Sequence, residues 1–349
     1  MKGSRQPPTS RAFGSVAAGP MVPETGLTRA YLPVAVVVIG LAALPAAVGG
    51  SRYLVSVATL MVVLICYGIG FNVVFGGTGQ LMLSIGALAA VAAYTSALLG
   101  QQSALPVAVT LPSGVLLATV IGALLSWIAV RRRLDTIFFG VVTLTASLVV
   151  HNLLLGRRDL TGGETGLLVE GGAGTALREP LVGYYLVLVV LAVGLAGHRA
   201  IQRSALGWAF RAVRDDPVAA EFAGVDVART KVAAATFGSA LVGAAGSVYA
   251  HVDGFISPTT YGFATVDVRV MVVVVLGGLG TLVGPVVGGI AVTLLDELLR
   301  PLGQLRVAAY GALLLVVFLG LPRGVVPTLM AAWHRARPRR QHVSGDRAP

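Results

Sequence analysis

Charge is scarce in this chain. It has 26 basic and 15 acidic residues in 349, or 12% of the sequence, against roughly a quarter in soluble domains. A water-soluble core of this size needs a charged skin, so a soluble globular enzyme is excluded. Lysine is almost missing: Lys2 and Lys231 are the two present, and neither lies in a GxxxxGK[ST] phosphate loop. Any ATP-driven work must therefore be done by a partner. The single cysteine, Cys66, has no intramolecular disulfide partner and reads as a small buried apolar side chain. The five histidines show neither HExxH nor any other metal-ligand spacing, and no SxxK pair exists. No catalytic residue, metal ligand or cofactor is expected. Aromatic platforms interleaved with basic residues are also lacking, so the net charge of +11 is not read as a nucleic-acid signal.

What the chain has is apolar length. Hydrophobic residues make up 56% of it, in runs near the roughly 20 residues a helix needs to cross a hydrocarbon layer about 30 Å thick. The runs are continuous rather than alternating, which argues against a β-barrel. The expectation is an all-α polytopic membrane protein with about ten transmembrane or re-entrant helices, near 31–49, 53–75, 81–100, 105–130, 136–155, 181–198, 231–250, 264–280, 284–299 and 304–321. The third, eighth and ninth are rich in Gly and Ala and are expected to be short or broken. If both termini are cytoplasmic, 19 of the 26 basic residues fall on the cytoplasmic side and six opposite, with Arg269 inside a span. That bias obeys the positive-inside rule and predicts an N-in, C-in topology. Residues 1–30 then form a flexible basic arm, 31–321 the membrane domain, 156–180 an outer loop, and 322–349 a basic cytoplasmic tail.

An internal repeat follows two of the runs. Gly76-Gly77-Thr78-Gly79-Gln80-Leu81 recurs as Gly277-Gly278-Leu279-Gly280-Thr281-Leu282. Unwound backbone in a membrane must line a cavity or be buried in protein, so these breaks point to a translocation pathway. Close helix packing by small residues is the other, compatible reading. Asn72, Thr78, Gln80 and Ser84 add polar groups beside the first break and are candidates for lining, with interhelical hydrogen bonding as the alternative for each. Asp267 and Arg269 are the ionisable residues in the eighth span, placed near its outer end; they read as interfacial residues reaching toward water or headgroups, with a role in the pathway as the alternative. Two positions apart on a helix, they should not pair with each other. Such scarcity of mid-membrane ionisable groups weakens an ion-coupled mechanism.

The longest polar stretch between spans is 203–231. Ser204 is expected to cap a first short helix, and Asp216-Pro217 to start a second, with Gly224 at its end. Such an element can insert into a groove on another protein and transmit movement. Here the residues resemble a family: the permease subunits of ABC importers for branched-chain amino acids, in the LivM-like branch. The similar stretches are Phe71-Asn72 through Gly79-Gln80-Leu81, Leu160 to Leu167 (LTGGETGL), Ala209 to Arg214 (AFRAVR), Ala219-Ala220-Glu221 with Ala223-Gly224-Val225, Gly254 to Pro258 (GFISP), Val275 to Thr281 (VLGGLGT) and Leu321 to Gly324 (LPRG).

The resemblance implies that Arg214, Asp215, Asp216, Pro217, Ala219, Ala220, Glu221, Ala223 and Gly224 form a coupling segment that docks into an ATP-binding subunit. It also implies a second, different permease subunit, two ATP-binding subunits, an extracytoplasmic substrate-binding protein and a surround of membrane lipid. Thr161, Glu164 and Thr165 would shape an outer vestibule or touch the binding protein; a plain solvated loop is the other reading. Asp267 stands where the family tends to have glutamate, and Arg269 is atypical. A permease for urea or short amides, an ion-coupled transporter and an intramembrane enzyme are the rival functions.

Overall fold

The structure, a computed structural model, describes residues 27–103, 105–169, 177–302 and Gly311. Residues 1–26 of the basic arm, the basic tail and all but Gly311 of the expected tenth span lie outside these. Helix α1 (Leu27–Ala42) and the short α2 (Leu44–Ala47) lead to α3 (Arg52–Phe71), which continues as a π-helical turn over Asn72–Gly76. Then follow α4 (Ile85–Ser103), α5 (Val107–Arg131), α6 (Thr136–Gly156) and the single turn α7 (Arg158–Thr161). Helix α8 (Pro180–Arg203), the polar-segment pair α9 (Ala205–Asp215) and α10 (Pro217–Phe222), and α11 (Val227–Asp253) come next. The described part ends with α12 (Asp267–Gly277) and α13 (Gly284–Leu298).

Five of these helices are long and apolar enough to cross a membrane: Arg52–Gly76, Val107–Arg131, Thr136–Gly156, Pro180–Arg203 and Val227–Asp253. The eighth and ninth expected spans are short, as their glycines indicate. At about 1.5 Å per residue α12 is about 16 Å long and α13 about 22 Å, both under the thickness of the hydrocarbon layer.

Lipid-facing surfaces are as apolar as the interior, so burial of apolar area does not select which face packs; close fit and hydrogen bonding do. Helix α5 shows this. Its buried residues are Thr110, Gly114, Ala118, Gly122, Ser126 and Ala129, a stripe of small side chains one turn apart, whereas Leu116, Leu117, Val120 and Leu124 are exposed. The stripe lies against α11, itself lined with Ser239, Gly243 and Ser247, and against α4. Helix α3 is packed by α8, α11, α12 and α13, and α6 lies at the periphery against α4.

The loops sort into two ends. One gathers 76–80, 131–136, 203–231 and 277–284. The other gathers the α1–α3 turn, 101–107, 156–169 and 253–258, where Leu167–Leu168 and Phe255–Ile256 form a two-stranded antiparallel ladder that the sequence did not announce. Tyr184 and Tyr185, near the start of α8, donate to the Leu41 and Ala42 carbonyls at that same end, at 2.6 and 3.1 Å.

A Cβ at Gly122 would lie 1.8 Å from Ser239 Oγ, while one at Gly100 would meet nothing within 4 Å. Gly122→Leu is therefore expected to prise α5 from α11 and abolish monodisperse protein in size-exclusion chromatography. Gly100→Leu should behave as the parent chain.

Candidate functional site

The two glycine-rich repeats, 201 residues apart, meet at the first end of the bundle. Asn72 lies in the π-turn that closes α3 and is buried. Its amide donates to the Thr281 carbonyl at 2.9 Å and its Oδ1 accepts from the Gly280 N–H at 2.7 Å. Asn72 continues the helical geometry of α3, and the wider i→i+5 turn begins at it. The approach is tight: a Cβ on Gly76 would lie 2.7 Å from the Gly280 nitrogen. Gly280 also holds φ +75°, a left-handed conformation open to glycine. Arg214, at the end of α9, closes the cluster by donating from Nη1 to the Gly76 carbonyl at 3.0 Å. Three features separated in sequence thus form one contact.

From this cluster the chain runs unwound over residues 79–84 along the first two turns of α6. Thr136 donates to the Gly79 carbonyl at 3.0 Å, Gly140 meets Leu81, and the Leu83 N–H donates to Thr143 Oγ1 at 2.9 Å. Seven helical residues rise about 10 Å, so the extended segment penetrates that far into the bundle. There Asp267 receives it: the Ile85 and Gly86 N–H groups, the first of α4, donate to Oδ1 and Oδ2 at 2.6 and 3.3 Å. A carboxyl at a helix start satisfies N–H groups that have no partner within the helix. Asp267, 2% exposed, is thus not an interfacial residue at the outer end of a span; it is an interior cap that joins α12 to α4. Arg269 does not pair with it, as its spacing predicts, but forms an ion pair with Asp296 of α13 at 3.5 Å.

The other polar candidates near the first break are all buried. Thr78 bonds back to the Val74 carbonyl at 2.8 Å, and Gln80 accepts from Ser126 of α5 at 3.2 Å. The Ser84 hydroxyl is buried without a hydrogen-bond partner among the described residues. Gly77 lies over the Phe210 ring of α9, and Gly277 and Gly278 lie against Gly284.

The polar segment folds as its residues dictate, with one change. Ser204 occupies the cap position of α9, but its hydroxyl donates to the Ile201 carbonyl at 2.8 Å instead of accepting from the new helix. Asp216 does cap α10, accepting from Val218 and Ala219 at 2.8 and 3.0 Å, with Pro217 in the first turn. Gly224, at φ +84°, ends that helix. Helix α9 buries Gly207, Phe210 and Val213 against the bundle. The opposite is true of α10: Ala220 is its buried residue, Val218 is 60% exposed, and Phe222 is 90% exposed. Arg214 and Asp215 pair at 3.4 Å. Ala219, Glu221 and Ala223 are exposed or partly so along the same turn.

At the other end, Glu164 and Thr165 are exposed on a short 3₁₀ turn. Thr161 is buried, its hydroxyl within reach of the Leu154 and Arg157 carbonyls at 2.5 and 2.8 Å, so it closes the end of α6 and does not face a vestibule.

The profile of the family described as branched-chain amino acid transport system / permease component matches residues 53–322. The chain belongs to this permease family. It is 32% identical to the high-affinity branched-chain amino acid transport system permease protein LivM of Escherichia coli, over 79% of this chain and 71% of that protein. The LivM of Salmonella typhimurium is 31% identical over the same shares. The autoinducer 2 import system permease protein LsrC of Klebsiella pneumoniae is 37% identical over 32% of this chain and 33% of its own length. No solved structure matches. These relatives are permease components rather than enzymes, and a permease of this family is a multi-pass protein of the plasma membrane, in keeping with the five long apolar helices.

In this permease the residues that sequence reasoning passed over are Phe222 and Val218, the threonines of α6, and Asp296. A bulky aromatic among Ala, Gly and charged residues was a visible signal for Phe222. Nothing local marked Thr136, Thr143 or Asp296, whose partners lie more than 25 residues away. Asp267→Ala strands two buried N–H groups, at roughly 1–3 kcal/mol each. It should lower the apparent Tm of the purified protein markedly. Asp267→Asn, which keeps one acceptor oxygen, should fall between this variant and the parent chain.

Proposed function

We propose that this permease is one of two different membrane subunits of an ATP-driven ABC importer. It forms half of an alternating-access pathway for branched-chain or related hydrophobic amino acids. The observation that carries the reading is Phe222. A phenyl ring 90% exposed at the tip of a capped helix outside the bundle is unfavourable in water and is the kind of anchor that fills a pocket on a partner. The partner proposed is an ATP-binding subunit, two of which would serve the heterodimer, while an extracytoplasmic binding protein delivers the substrate at the opposite end.

The route for movement is short. A displacement of α10 passes through the Asp216 cap into α9, and from there through Arg214 to Gly76 and through Phe210 to Gly77. Because Asn72 ties the first break to the second, α12 and α13 follow α3. The substrate arrives on a binding protein, so this chain need not hold it tightly, and a pathway that bound strongly would trap its cargo. The excess of basic residues at the α9–α10 end supports placing that end, and both termini, in the cytoplasm.

Phe222→Asp should abolish co-isolation with the ATP-binding subunits and ATP-driven uptake from loaded binding protein, while insertion and yield of this chain in the membrane stay unchanged. Full co-isolation and uptake by Phe222→Asp would reject this docking site. Uptake driven by an ion gradient in vesicles lacking the ATP-binding subunits would reject the importer itself.

A further inference from the structure

A cavity of about 410 Å³ opens between α3, α11, α12 and α13, toward the end opposite α10. Its volume is within the range of small-molecule sites, roughly 300–1,000 Å³. One wall is apolar: Val57, Leu60, Val63 and Leu64 of α3. The facing wall carries the Arg269–Asp296 ion pair, at 3.5 Å, with side chains 31% and 18% exposed. Tyr67, itself 4% exposed, also lines the cavity, and its hydroxyl has no hydrogen-bond partner among the described residues. At the mouth, Tyr53 donates to both carboxylate oxygens of Glu297, at 2.9 and 2.8 Å, and the Arg300 guanidinium lies over the Tyr53 ring at 4.5 Å.

The charges decide what fits. The lining residues Arg269, Arg300, Asp296 and Glu297 sum to zero, so a ligand with net charge would leave an uncompensated charge in a largely apolar space. An amino acid at neutral pH carries one positive and one negative group on adjacent atoms and no net charge. A guanidinium suits its carboxylate through paired N–H donors, and a carboxylate suits its ammonium. The hydrophobic side chain is then left to the α3 wall. We propose that the Arg269–Asp296 pair is the transient headgroup site of this permease: it opens to take the zwitterion of an apolar amino acid between its two charges and recloses when the substrate leaves. Since the two charges already face each other when the site is empty, binding exchanges one set of charged contacts for another and is weak by construction, as a transit site must be.

This inference rests on the importer reading, and its test reports on the two separately. In the complete transporter reconstituted in nanodiscs, Thr293→Cys, one turn before Asp296 on the cavity wall, is labelled with a small maleimide. Buried Cys66 is replaced by Ala in this background. L-leucine should slow labelling at Cys introduced there. N-acetyl-L-leucine, which lacks the ammonium, and L-leucinamide, which lacks the carboxylate, should do so about tenfold less well or worse, since bonds to charged groups are lost. Arg269→Met should erase the preference for L-leucine over L-leucinamide, and Asp296→Asn its preference over N-acetyl-L-leucine. A merely structural pair would lower all three alike and overturn the proposal. So would equal protection by all three ligands, protection by none, or no labelling at all in the assembled transporter, as a subunit interface would give. ATP-driven leucine uptake measured on the same preparation separates the levels: uptake without protection removes the headgroup site alone, whereas absent uptake and absent ATP-binding subunits remove the importer reading with it.

Discussion

The constraint on which the rest of the structure depends is that unwound backbone inside a membrane must find its hydrogen bonds in protein. Among the described residues the chain unwinds between packed elements over 79–84 and 278–283, and side chains take several of the backbone groups so exposed. Asn72 serves the second break, taking the Gly280 N–H and giving to the Thr281 carbonyl. Thr136 and Thr143 serve the first, and Asp267 receives the first two N–H groups of α4. Thr281 adds its hydroxyl, donating to the Gly278 carbonyl and accepting from Gly284. Apart from Thr281, which acts within its own break, the donor or acceptor comes from a different element, so the same bonds that satisfy the backbone also fix the elements to one another.

That double role explains why so few polar side chains suffice. Apolar contact among helices in lipid gives little direction, because lipid tails compete for it on equal terms. Small residues one turn apart on α5 let α11 and α4 approach closely. Hydrogen bonds from Asn72, Thr143, Gln80 and Asp267 then select one register from the many that the small-residue faces allow. The chain's poverty in charge is thus not a poverty of specific interactions: uncharged polar groups carry many of them, joined by the Asp267 carboxyl, Arg214 and the Arg269–Asp296 pair.

How much of this was legible in the sequence differs by feature. The helical membrane class followed from composition, and the short eighth and ninth elements followed from their glycines. The α10 cap was readable because Asp216, Pro217 and Gly224 act on their own neighbours. What was not readable depends on contacts across the chain. Asp267 looked interfacial because a lone carboxylate near a span end ordinarily reaches for water; its true partners are 182 and 181 residues away. Ser204 had the right identity for a cap, yet the preceding carbonyl captured its hydroxyl. The repeat of glycines was visible, but that its two copies touch depends on Asn72 bonding Thr281 and Gly280, 209 and 208 residues away, and no local pattern announces such a contact.

The placement of the two polar centres bears on how transport would be organised. Arg214 holds the glycine clasp at one end of the bundle, and the Arg269–Asp296 pair lines a cavity at the other, with α12 and α13 contributing to both. Helix α12 starts at Asp267, which is fixed to α4, and ends at Gly277, beside the break fixed to α3. A displacement of the clasp therefore cannot be absorbed by α12 alone without breaking the bonds to Asp267 or to Asn72. In the proposed importer, α12 and α13 would instead tilt together about the Asp267 anchor, which would shift Asp296 relative to Arg269 and the α3 wall. A pocket whose two walls belong to elements on opposite sides of such a hinge would change width when the clasp moved. In the proposed importer, that geometry would let nucleotide-driven motion at α10 loosen a weakly held zwitterion at the far end without any ionisable group changing charge.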